Sequence, residues 1–154
     1  MSGNLKSKLE KCKLFARKFK HLGHVVSDEG VEVDEDKTVA IKDWPTPRCK
    51  RDVQALLGTF GYNRWFSSKY SDISRPLSQA AAKDHVFTWD DECQEAFEVQ
   101  TDRIASTLVL SYADYKLPIV LDTDASKVGT WAVLSRVQAG QEKVIAYSSK
   151  NDDT

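Results

Sequence analysis

The chain has 154 residues, 41% hydrophobic and 29% charged, with a net charge of −1. That is long enough for one or two small domains and too apolar for generic disorder. It has no run of about 18 apolar residues and its first residues are lysine-rich, so the expectation is an intracellular protein, cytoplasmic or nuclear, neither secreted nor membrane-spanning.

Cys12, Cys49 and Cys93 stand 37 and 44 residues apart, which fits neither a zinc site nor an even disulfide framework. Charge is blocked along the chain. Seven basic residues face one acidic residue between Met1 and His21, an acidic block runs from Asp28 to Asp36, and residues 48–75 turn basic again. On charge alone, solvated faces of an ordinary domain remain the simpler account.

Leu14–Val26 is aromatic-rich and β-branched, with Gly23 inside it and Asp28-Glu29-Gly30 behind it, and predicts a hairpin. Asp34 is placed to cap a helix through Lys37, Val39, Ala40 and Ile41, which Pro45 and Pro47 then end. Val53, Leu56, Leu57 and Phe60 recur at helical spacing, and Tyr62, Trp65 and Phe66 prolong that apolar face. A shorter helix is expected around Pro76–Ala82, with proline near its start. Thr88 with Asp91 three residues later predicts a capped helix of about five turns, through Ala96, Phe97, Ile104 and Leu108. From Leu117 the pattern changes to three antiparallel strands, Leu117–Thr123, Gly129–Val137 and Lys143–Ser149, with Ala139-Gly140-Gln141 as a turn. The fold class is therefore α+β.

Several motifs follow one another along the chain: Lys11-Cys12-x-x-Phe15, Leu22-Gly23-His24-Val25-Val26-Ser27, Trp44-Pro45-Thr46-Pro47, Leu57-Gly58 with Tyr62 and Arg64, Phe87-x-Trp89, Gln94-Glu95-Ala96-Phe97 and Thr123-Asp124-Ala125-Ser126. In this order they resemble the Pol polyprotein of gypsy-type long-terminal-repeat retrotransposons, from the end of the reverse-transcriptase palm to the start of RNase H. The resemblance implies three parts: a primer-grip-like hairpin over 1–33, a thumb-like helical region over 34–86, and a connecting helix with a truncated RNase H-like sheet over 87–154.

By the same resemblance, Leu22, Gly23 and His24 look like the turn that grips the primer end. A glycine there admits close backbone approach, and neighbouring lysines could neutralise phosphates. A plain edge hairpin with surface lysines is the other reading. His21 and His24, three apart in a strand, are expected to point to opposite faces and not to share a metal. Gln54, Gly58 and Tyr62 fall in one helical row that looks like the thumb helix tracking a duplex minor groove, with Arg64 just beyond it. Alternatively Tyr62 joins Trp65 and Phe66 in the core.

Asp124 looks like the first metal-binding aspartate of RNase H, and the family implies Mg²⁺. Two-metal hydrolysis places ions about 4 Å apart and needs several carboxylates, so Asp124 alone is expected neither to hold the metal stably nor to cleave. Trp131, where the family has small residues, would crowd that face. Thr88-Trp89-Asp90-Asp91 is not the palm's aspartate pair, since it opens a helix.

The expectation is a fragment that grips an RNA–DNA hybrid or DNA duplex weakly, with the other Pol domains as further partners. A domesticated protein-interaction module or a functionless relic is the alternative.

Overall fold

A computed structural model describes residues 15–106, 109–126 and 129–151. Cys12, the lysines before Phe15, and Leu108, Asp152 and Asp153 lie outside the described residues.

The hairpin is present and carries a third strand. β1 (Lys18–His21) and β2 (His24–Ser27) pair antiparallel around a tight turn at Leu22-Gly23, and β3 (Val31–Val33) pairs with β2. Asp28-Glu29-Gly30 therefore leads from β2 into β3 and does not end the sheet. Leu22 and Gly23 both have left-handed backbones, φ 51° and 82°, the pattern whose twist matches the flanking strands. One expectation fails here: His21 and His24 are direct cross-strand partners on one face, because the turn falls between them. Gly30 is required by close approach, since a methyl group on it would meet the Leu110 carbonyl oxygen. There Val31 and Leu110 exchange two backbone hydrogen bonds of 2.8 Å.

α1 (Glu35–Lys42) starts as expected, with the Asp34 carboxylate accepting from the Asp36 N–H. α2 (Lys50–Tyr62) buries Val53, Leu56 and Phe60 completely. The apolar face does not simply continue. Arg64–Phe66 tighten into a 3₁₀ turn that buries Phe66, while Tyr62 and Trp65 stay 52% and 50% exposed.

α3 (Tyr70–Ala80) begins six residues earlier than its proline suggests, with Pro76 inside it. Proline forfeits one helical hydrogen bond, but Ser74, Leu77 and Ala80 lie on one buried face, and burying such a face favours helix over its whole length. α4 (Asp91–Ala105) is capped by Asp90 rather than Thr88, the Asp90 carboxylate accepting the Cys93 N–H at 2.9 Å. Its 15 residues make about four turns, not five.

Ile41, Val53, Leu56, Phe60, Leu77, Phe97 and Ile104 form the main core, each large side chain contributing about 1.5–3 kcal/mol by burial. Gln100 is fully buried within the helical layer, accepting from the Ser67 hydroxyl at 2.7 Å and donating to Ser74 Oγ at 3.1 Å.

The second sheet has the expected order and direction: β4 (Ile119–Ser126), β5 (Gly129–Gln138) and β6 (Gln141–Asn151), all antiparallel. Its β5–β6 turn is two residues, Ala139-Gly140, with φ 53° and 76°. β6 docks on α3, where the Ser71 N–H donates to Ser149 Oγ at 2.9 Å and the Asn151 amide to the Ser71 carbonyl at 3.2 Å. Val33, Phe66 and Leu110, with Val144 and Tyr147 against them, join the first sheet, the 3₁₀ turn and β6.

Candidate nucleic-acid interface

Tyr62 ends α2, and its side chain reaches the tip of the first sheet. The Tyr62 hydroxyl donates to the Leu22 carbonyl at 2.9 Å, and its ring stacks on His24 with centroids 5.3 Å apart. His24 is sandwiched, with Phe66 at 5.4 Å on its other side. Leu22, Gly23, Gly58 and Tyr62 thereby line one groove of about 390 Å³, together with Lys37 and Asn63. A methyl group on Gly58 would meet no atom within 4 Å, so the helix presents bare backbone to open space there. Gln54 is exposed one turn earlier in the same row and does not line the groove. Arg64 stands apart, its guanidinium 5.6 Å over the Trp65 ring. Tyr62 is thus not a core residue; Phe66 alone of that aromatic group goes inside.

Electrostatics around the hairpin differ from the sequence expectation. Lys18 pairs with Glu32 at 2.7 Å, and Lys20 with Asp34 and Asp36 at 2.7 and 2.6 Å. Those carboxylates hold both ammonium groups above their ordinary pKa, so the charge expected to face phosphates is largely answered within the sheet and α1. His24 is held below its ordinary pKa chiefly by burial between the two rings, and His21 adds to the shift. Asn63 opposes it, although its amide already donates to the Thr59 carbonyl at 3.0 Å and His24 Nε2 is buried without a hydrogen-bond partner.

Lys37 is the charged lining residue that sequence reasoning missed, beside Ala55, Thr59 and Asn63. It reads as one more surface lysine of α1, and only the tertiary contact with Gly23 brings it to the groove.

A second, shallower groove of about 510 Å³ surrounds Asp124. Asp124 sits directly opposite Trp131 on β5, and the indole N–H donates to Asp124 Oδ2 at 3.1 Å. Lys69 lies 5.2 Å over the Trp131 ring, and Lys150 lines the same groove. Asp122 shares Asp124's face of β4 by strand alternation. Among the described residues, no group of three or more His, Cys, Asp or Glu could hold a metal ion. Two-metal hydrolysis needs several carboxylates; a lone carboxylate already bonded to an indole, with the Lys69 ammonium over that ring, does not fit that set, and no chemical step through a metal follows from these residues. Nor is any helix among them long and apolar enough to cross a membrane.

Residues 89–152 match the RNase H-like domain found in reverse transcriptase. Over 147 residues the chain is 32% identical to the Pol polyprotein of Drosophila melanogaster transposon 412, covering 96% of this chain and 12% of the polyprotein. It is 31% identical over 148 residues to that of transposon gypsy from the same organism, covering 88% and 14% respectively. The chain thus spans about an eighth of the length of these curated relatives. Among solved structures, the foamy viral protease–reverse transcriptase in complex with RNA/DNA hybrid shares the fold with a TM-score of 0.75 at 23% identity, over 94% of this chain and 20% of that one. The same viral protein in complex with dsDNA gives 0.73 at 24% identity, over 90% and 29%.

Proposed function

From the premise that this chain belongs with the Pol polyproteins of gypsy-type retrotransposons and carries their RNase H-like region over residues 89–152, we propose that it holds a nucleic-acid duplex and contributes grip rather than chemistry. The observation that carries this reading is the groove between the Leu22-Gly23 turn and α2, closed by the Tyr62–Leu22 hydrogen bond. It unites residues 40 apart in sequence that have the chemistry of a sequence-tolerant clamp. Gly58 leaves room for a sugar, and the half-exposed Tyr62 ring offers a flat apolar surface. Gln54 extends the row with groups able to bond the minor-groove acceptors that every base pair presents.

Leu22 supports the reading from a different side. A non-glycine residue with φ 51° costs about 1–2 kcal/mol, and a side chain 73% exposed recovers little of that by burial. Strain of this kind clusters where a backbone group must be held in place for a ligand. Solved relatives of the same fold carry RNA/DNA hybrid or dsDNA, and these are the partners proposed for this chain.

In this reading 1–33 and 34–86 form the two jaws of the grip, and 87–154 carries the RNase H-like sheet. The test is binding of a labelled RNA–DNA hybrid and of a DNA duplex over a salt series. Affinity for both should fall steeply as salt rises, and Gln54→Ala or Tyr62→Ala should weaken it. Absence of binding at low salt would overturn the proposal.

A further inference from the structure

The groove needs a cation, and the lysines nearest to it in the first sheet are committed elsewhere. Lys20 bridges Asp34 and Asp36, and Lys18 holds Glu32. Lys37 is placed otherwise. It lies on α1, whose cap residue Asp34 donates its N–H to the Gly23 carbonyl at 3.0 Å, so that the hairpin turn and the helix are fixed to one another. The Lys37 stem runs along Gly23: a methyl group there would lie 3.3 Å from Lys37 Cε and 3.5 Å from Cγ. The lysine therefore arrives at the groove opposite Gly58 and Tyr62, and it makes no ion pair among the described residues. Asp34, the acidic neighbour on which its charge acts, is already bonded to Lys20.

We infer that Lys37 is the phosphate contact of this groove, placing its ammonium on the sugar–phosphate strand whose sugars pass Gly58 and Tyr62. The inference rests on the duplex-holding reading and deepens it, naming the residue that supplies the charge and the part of the duplex it meets. Gly23 takes a second role here, because the absent side chain lets the lysine stem cross the turn. A phosphate contact carries no base information, so Lys37 should act equally on hybrid and DNA duplex.

The experiment measures binding of the full chain to a fluorescein-labelled RNA–DNA hybrid, and to a DNA duplex of the same length, across a salt series. Lys37→Gln should weaken both and lower the slope of log affinity against log salt by about one. Lys37→Arg should keep the slope, and Lys143→Gln on β6 should leave it unchanged. Circular dichroism and melting temperature confirm that each variant folds. If wild type binds and Lys37→Gln keeps the full slope, the phosphate contact is overturned while the duplex reading stands. If Lys37→Gln and Lys37→Arg lose affinity equally, the residue serves packing on Gly23 and the inference also fails. If wild type binds neither probe at low salt, both readings fall together.

Discussion

Trp131 and Asp124 face each other across β4 and β5, and the indole N–H of one donates to the carboxylate of the other at 3.1 Å. The bond ties up one oxygen of the residue that would otherwise be the first candidate for a metal. Lys69 over the indole ring adds positive charge to the same corner. A divalent cation at Asp124 would thus meet a carboxylate that is already hydrogen-bonded, with the Lys69 ammonium over the neighbouring indole.

The first prediction is that the chain does not cleave an RNA–DNA hybrid in Mg²⁺, and that Asp124→Asn leaves this unchanged. Asparagine retains an acceptor for the Trp131 N–H, so stability should also shift by less than about 1 kcal/mol, as befits an exposed hydrogen bond. A gel-based nuclease assay beside chemical denaturation checks both. Mg²⁺-dependent cleavage that disappears in Asp124→Asn would overturn the inactive reading.

Tyr62 and Leu22 separate the grip from the fold. Tyr62→Phe keeps the stack on His24 and loses the hydrogen bond to the Leu22 carbonyl, so it should cost about 1 kcal/mol of stability and loosen the turn. Leu22→Asn should do the opposite for stability, adding about 1 kcal/mol by relieving a left-handed leucine, while weakening duplex binding, because it removes an exposed apolar side chain from the groove. Denaturation midpoints and hybrid affinity, measured on the same preparations, distinguish a stable but weak-binding Leu22→Asn from one that is merely unfolded.

What was legible in the sequence had a local cause. Asp34 caps α1 because its carboxylate needs only the next turn's N–H, and the strand pairing of β5 with β6 follows from a two-residue turn with glycine in it. The Gln54, Gly58 and Tyr62 row follows from helical periodicity alone. What was not legible came from distant contacts. The start of α3 depends on a buried face that offsets Pro76, and β3 is held in part by Leu110, far along the chain. Asp90 rather than Thr88 caps α4 because both residue types suit the role and only backbone geometry chooses between them. Lys37 was invisible as a groove residue, since its meeting with Gly23 is not written in any spacing.

Gln100 should be the most sensitive buried polar position. It is fully buried and bonded to both Ser67 and Ser74. Gln100→Ala leaves a cavity, takes the acceptor from the Ser67 hydroxyl and removes the amide donor to Ser74 Oγ, for an expected loss of about 3 kcal/mol. Gln100→Glu should be as damaging near neutral pH, because it buries a charge. Urea unfolding gives the midpoint shift, and a shift no larger than that of an exposed control such as Gln54→Ala would show the network to be slack.

His24 sets the expected pH dependence. Burial between Tyr62 and Phe66 holds its pKa below the ordinary 6.5, with His21 acting in the same direction. The unfolded chain therefore binds this proton more readily than the folded one. His24's contribution to stability is fully present above 6.5 and is lost as pH falls through the lowered folded value. Asp34, Asp52 and Asp90 are all held below 3.8 by hydrogen bonds, so their contributions are present above 3.8 and fade only in more acidic solution. The His24 loss begins below 6.5 and the aspartate losses only below 3.8. As pH falls below 6.5 the melting temperature should fall in the wild-type chain, and His24→Phe, which keeps a ring between Tyr62 and Phe66, should flatten that limb. His21→Gln should soften it partly, by removing the cross-turn neighbour that also lowers His24. If His24→Phe melts with the wild-type pH profile, the titrating group lies elsewhere and the stacked His24 is only a packing residue.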